Sequence, residues 1–184
     1  MPLKTPICDF GQAAKSFELK STNNEIIKLN DVKGTNGTLV MFICNHCPYV
    51  KAVIKDIVED CKNLEKLGVK AVAICSNDTI NYPEDSFENM IEITKKHQFS
   101  FPYLFDETQN VAKSYDAVCT PDFFGYNNNL ELQYRGRIRE LDNLKPVRAG
   151  DSDLYSAMKQ IAETGKGPET QIPSVGCSIK WLDN

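Results

Sequence analysis

The chain has 184 residues, 41% of them hydrophobic and 25% charged, and carries a net charge of −4. A chain of this length suits one domain, residues 1–184, and buries enough core to fold without a disulfide or metal staple. The acidic balance leaves no footprint for nucleic acid or an anionic membrane, and Arg135-Gly136-Arg137-Ile138-Arg139 reads no differently from an exposed hairpin strand.

No stretch approaches the length of a membrane span. Met1 to Pro6 is followed by no apolar run of the secretory kind, so the expectation is a cytoplasmic protein. Seven cysteines are present, at 8, 44, 47, 61, 75, 119 and 177. An odd number in a reducing compartment argues for buried or reactive thiols rather than a disulfide framework.

In chain order, Phe17–Lys20 and Ile26–Leu29 flank Asn23-Asn24 and predict a hairpin. Thr38–Ile43 is a continuous apolar run, as in a strand covered on both faces. Cys44 and Cys47 follow at once. Val50, Val53, Ile54, Ile57, Val58, Cys61 and Leu64 then recur at helical spacing, with Pro48 in the first turn and Gly68 at the end. Cys61 therefore belongs to the core. Val69–Cys75 predicts a second buried strand, with Cys75 packed at its end. Pro83 opens a helix to about Lys96, with Phe87, Met90 and Ile91 inward and His97 compensating its dipole. Phe101–Phe105 reads as extended and Gln109–Tyr115 as a brief helix. Phe123–Tyr126 and Leu130–Tyr134 flank Asn127–Asn129 as a second hairpin, and a helix is predicted from about Ser152 to Ala162. Strands alternating with helices, then a hairpin, predict an α/β sandwich with a mixed sheet. Residues from about 140 to 184 form a C-terminal extension, and its Trp181 is expected to dock on the body.

The chemistry-bearing motif is Cys44-Asn45-His46-Cys47-Pro48. A pair of cysteines between a buried strand and a helix lies where the helix dipole and unpaired amides stabilise a thiolate. The first is expected to face solvent and act as nucleophile, and the second to resolve the mixed disulfide. His46 is placed to tune the Cys44 thiolate. A structural zinc half-site or a redox-sensing module is the competing reading, although zinc asks for four ligands and the other cysteines are scattered.

Strand, Cys-x-x-Cys-Pro, helix, strand and then Cys119-Thr120-Pro121 before a hairpin resembles the thioredoxin superfamily. Within it the long N-terminal hairpin and the Asp106–Tyr115 stretch resemble the alkyl hydroperoxide reductase/thiol-specific antioxidant branch. More narrowly, Cys-Asn-His-Cys-Pro, Cys119-Thr120-Pro121-Asp122-Phe123-Phe124 and Gly176-Cys177-Ser178-Ile179-Lys180-Trp181 resemble uncharacterised peroxiredoxin-like proteins of the thioredoxin family. The resemblance implies a thioredoxin-like sandwich and a cis peptide at Pro121. It implies a substrate groove shaped by His46, Pro48, Cys119, Thr120 and Pro121, with Cys44 and Cys47 catalytic. Neither an organic cofactor nor a metal is implied. The expected partners are a disulfide-containing protein or a small thiol, together with an electron donor of unspecified identity.

Departures from the pattern narrow the activity. A peroxiredoxin places Thr three residues before its reactive Cys and Pro four residues before that Thr. With Cys47 so aligned, those positions hold Cys44 and Val40. A thioredoxin has Trp before its first Cys, where Ile43 stands, and a buried acid in the preceding strand, where Thr38 stands. The expected activity is thiol–disulfide exchange, with thiol peroxidase as the alternative enzyme.

Overall fold

The computed structural model describes residues 1–183; Asn184, the last residue of the expected extension, lies outside the described residues. The early elements are β1 (Leu3–Lys4), β2 (Glu18–Ser21), β3 (Ile26–Lys28) and β4 (Gly37–Phe42), then α1 (Pro48–Glu65) and β5 (Val69–Cys75). After them come α2 (Phe87–Lys96), β6 (Tyr103–Phe105), α3 (Asn110–Ser114), β7 (Cys119–Thr120), β8 (Asp122–Tyr126) and β9 (Leu132–Tyr134). The chain closes with the short pair β10 (Leu141–Asp142) and β11 (Lys145–Pro146), then α4 (Asp153–Thr164) and β12 (Val175–Ser178).

A seven-stranded sheet runs in the order β3-β2-β6-β5-β4-β8-β9. Strand β4 pairs in parallel with β5 and antiparallel with β8, so the sheet is mixed as the sequence predicts. The apolar run in β4 is continuous because both its faces are covered. Leu39 and Met41 enter a core with α1 and α4, whereas Val40 and Phe42 enter a second core with Tyr115 and Phe124. Side chains alternate across a strand, so a single strand feeds both layers. None of the described helices is long and apolar enough to cross a membrane.

Three expectations are corrected. The helix expected from Pro83 is split: Pro83–Asp85 makes one 3-10 turn, and α2 starts afresh with Ser86 as its N-cap, accepting from the Asn89 amide. The arginine run is not exposed. Arg135 is buried and donates through Nη2 to Asp122 at 2.9 Å, Arg137 pairs with Asp153 at 2.7 Å, and Arg139 with Asp56 at 3.3 Å. Each arginine has a carboxylate partner supplied by a distant segment, which spacing along the chain does not reveal. Trp181 remains 41% exposed, with the Lys113 ammonium over its ring; Ile179, two residues earlier, is the buried anchor of the tail.

Candidate active site

Strand β4 ends at Phe42, and residues 43–47 turn across the sheet edge before α1 begins. Pro48 occupies the first helical position, where its missing N–H costs no hydrogen bond. Cys47 is thus the N-cap residue of α1, with extended backbone. The loop before it puts Cys44 beside it, and both side chains are buried, at 3% and 0% exposure. The expectation that Cys44 faces open solvent is therefore corrected: the Pro83–Asp85 turn is bonded over the loop, Asn45 donating to the Glu84 carbonyl and to Asp85.

From the other side, the Thr120–Pro121 peptide is cis. Its Thr120 hydroxyl lies 3.5 Å from Cys44 Sγ, and the Cys47 thiol donates to the Thr120 carbonyl at 3.3 Å. The expected groove residue Thr120 thus meets both cysteines. Cys119 is fully buried, and its thiol points to the Pro121 carbonyl at 3.6 Å. Burial first, then the Asp122 charge, pushes that thiol up.

The two sulfurs differ electrostatically. The neighbouring Cys47 sulfur, then burial and the nearby Asp85 carboxylate, hold Cys44 well above the ordinary thiol value. Beside the Cys44 thiol, Cys47 has its pKa lowered to about 4 against the opposing cost of burial, and its ionisation gives up the donation to the Thr120 carbonyl. The Cys177 thiol, the Thr120 hydroxyl and the Val50 amide at the start of α1 add to the stabilisation. The electrostatics favour the anion on Cys47, whereas the spacing along the chain pointed to Cys44. The reason is local. The helix dipole and its free amides converge on the N-cap, and Cys47, not Cys44, holds that position.

His46 is also redirected. Its Nδ1 lies 2.6 Å from Asp85 Oδ2, and its ring stacks on Tyr82. The other oxygen of Asp85 accepts from the Asn45 and His46 amides at 2.7 and 3.3 Å, and Asn77 Nδ2 donates to Oδ2 at 2.8 Å. Asn45 in turn accepts from the Tyr103 hydroxyl at 2.9 Å. The buried Asp85 thus ties down the Cys44–Cys47 loop and holds the His46 ring. Sequence reading missed Asp85. Ser86-Phe87-Glu88-Asn89 carries an N-cap serine, and starting the helix there would have left Asp85 in the preceding turn.

Cys44, His46 and Asp85 bring their ligand atoms within 4.8 Å of one another, the arrangement a metal ion would need. Each oxygen of Asp85 already accepts two hydrogen bonds, however. A cation there would displace donors from a satisfied carboxylate. Cys61 and Cys75 are fully buried packing residues, and burial pushes both thiols up, Cys75 to about 12.

A pocket of about 300 Å³ between α1 and α2 reaches Cys44; its wall includes Val50, Ile54 and Ile93, with Lys51, Lys96 and His97 also present.

The AhpC/TSA family pattern matches residues 10–141. The chain belongs to the AhpC/TSA family. As a member it is a thioredoxin-type redox protein. Its fold also matches an uncharacterised conserved protein from Geobacillus kaustophilus, 40% identical, with a TM-score of 0.94 over 100% of this chain and 98% of that one. A hypothetical protein from Sinorhizobium meliloti 1021 is 33% identical, with a TM-score of 0.90 and 98% of each chain covered. Peroxidoxin BcpB from Mycobacterium tuberculosis shares the fold at 14% identity and a TM-score of 0.56, covering 67% of this chain and 81% of that one. No curated protein matches the chain.

Proposed function

We propose that the protein is a cytoplasmic thiol–disulfide oxidoreductase whose Cys44–Cys47 disulfide oxidises substrate thiols. The observation that carries this reading is the placement of the two sulfurs: Cys44 borders the pocket, and Cys47 behind it holds the N-cap of α1, where the helix favours a thiolate. A substrate thiolate attacks Cys44 Sγ, the Cys44–Cys47 bond breaks, and Cys47 leaves as the thiolate. A low-pKa thiol is the better leaving group. A second substrate thiolate then attacks the substrate sulfur of the mixed disulfide. Substrate departs as a disulfide, and Cys44 takes up a proton. Two electrons have passed from substrate to enzyme. Stabilising Cys47 as an anion stabilises the reduced enzyme and so makes the disulfide more oxidising. The reverse direction starts with Cys44, whose thiol resists ionisation, and is disfavoured by the same asymmetry. The pocket's apolar wall and its two lysines suit a small thiol carrying an anionic group.

Equilibration with glutathione redox buffers tests the reading. The expected potential lies above the thioredoxin value of about −270 mV, and Cys47→Ser should accumulate substrate on Cys44. A potential at or below the thioredoxin value, or a mixed disulfide found on Cys47 of the wild-type protein, would overturn it.

A further inference from the structure

The CxxC reading leaves Cys177 unused, yet the fold brings it to the pair. Strand β12 pairs antiparallel with β7, and Cys177 stands opposite Thr120, the residue whose carbonyl accepts the Cys47 thiol. The approach is close: a Cβ at Gly176 would lie 2.0 Å from the Thr120 carbonyl oxygen, so only glycine lets β12 seat there. Cys177 packs against the cluster that contains Cys44 and Cys47. Unlike those two it is partly exposed. Burial first, then the neighbouring Cys47 sulfur, raises its thiol to about 11. Cys47 thus has a thiol on each side: Cys44 toward the pocket, Cys177 toward the outer strand.

We propose that Cys177 is a third redox-active cysteine, which exchanges with the Cys44–Cys47 disulfide and connects the oxidising equivalent at the pocket with the β12 edge. The inference rests on the Cys44–Cys47 couple of the preceding section. In the exchange the Cys177 thiolate attacks Cys47 Sγ. The Cys47–Cys177 bond forms, the Cys44–Cys47 bond breaks, and Cys44 leaves as the thiol, taking the proton that Cys177 gave up as the bond opens, so that no free Cys44 anion forms. One disulfide is consumed and one made, so no outside oxidant or reductant enters. In the Cys44–Cys47 disulfide the Cys47 anion beside Cys177 is gone, and with it one of the groups that held Cys177 protonated. The relay gives a macromolecular thiol or disulfide partner a contact on the surface, which a pair at 3% and 0% exposure does not.

The test is disulfide mapping of the full chain. Wild-type protein, Cys44→Ser and Cys177→Ser are each oxidised with one equivalent of diamide, quenched in acid, alkylated and digested. Cys44→Ser should lose both the Cys47 and Cys177 thiols and yield a Cys47–Cys177 peptide. Wild type should yield that peptide beside the Cys44–Cys47 one, and it needs no substitution to fold. Retention of a freely alkylated Cys177 in both proteins, or a Cys47–Cys119 link in its place, would overturn the relay. Absence of the Cys44–Cys47 peptide from Cys177→Ser would instead overturn the dithiol reading beneath it. Cys44→Ala repeats the first arm without the added hydroxyl and is expected to give the same link.

Discussion

At the scale of single residues, the site is governed by who holds the N-cap of α1. Cys47 does, and its lowered pKa has a sign that can be followed in stability. An unfolded thiol ionises near 9, whereas folded Cys47 ionises near 4. Its contribution is fully present above the unfolded value and is lost as pH falls through the folded one. Below about pH 8 Cys44 is protonated in both states and adds no slope; nearer pH 9 its unfolded form ionises and works against the rise. Reduced wild-type protein should therefore show a urea midpoint that rises between about pH 4 and 8, and Cys47→Ser should flatten it. A wild-type slope no different from that of Cys47→Ser would contradict the assignment. Asp85 sets the other half of the asymmetry. Asp85→Asn removes a negative charge near Cys44 but keeps an oxygen for the Asn45 and His46 amides. It should speed iodoacetamide labelling of Cys44 at neutral pH by about tenfold, the effect of one pKa unit. Unchanged labelling would mean that the carboxylate positions the loop without influencing its sulfur.

At the scale of elements, the strands were legible because their signal is local. Val69–Cys75 forms one strand as expected, and α1 follows its apolar spacing. The elements that misled are those decided by distant partners. Pro83 reads as a helix start, yet the chain pauses for one turn so that Asp85 can accept four hydrogen bonds from Asn45, His46 and Asn77. The Cys44–Cys47 motif was visible, but its electrostatics were not, because the Asp85 turn and the β12 strand arrive from far along the chain. Strand β12 makes the sharpest prediction at this scale. Gly176→Ala would force its new Cβ against the Thr120 carbonyl and push β12 from β7. The expected cost is about 1–3 kcal/mol in unfolding free energy, the usual range for overpacking. Cys47 should become easier to alkylate at the same time. A variant with native stability and native labelling would show that the two strands tolerate separation.

At the scale of the whole molecule, the C-terminal tail is bound into the active-site shell. Asn77 donates to Asp85 with its amide and accepts from the Lys180 N–H at 3.0 Å with its carbonyl, while Gln109 donates to the Lys180 carbonyl at 2.9 Å. Asn77→Ala should cost about 1–3 kcal/mol for the buried groups left unpaired, measured as a fall in denaturation midpoint. It should also hasten proteolysis after Gly167. Equal protease resistance in both proteins would detach the tail from the site. The small sheet β1-β12-β7 carries this further. Leu3 lies opposite Gly176 on one side of β12, and Thr120 lies opposite Cys177 on the other. Two segments far apart in sequence are zipped together on the strand that flanks the reactive sulfurs. Tension applied to the chain through Leu3 and Ser178 would load β12 before the seven-stranded sheet. A pulling experiment should then unclasp the redox centre in an early, separate rupture, leaving the two apolar layers still folded.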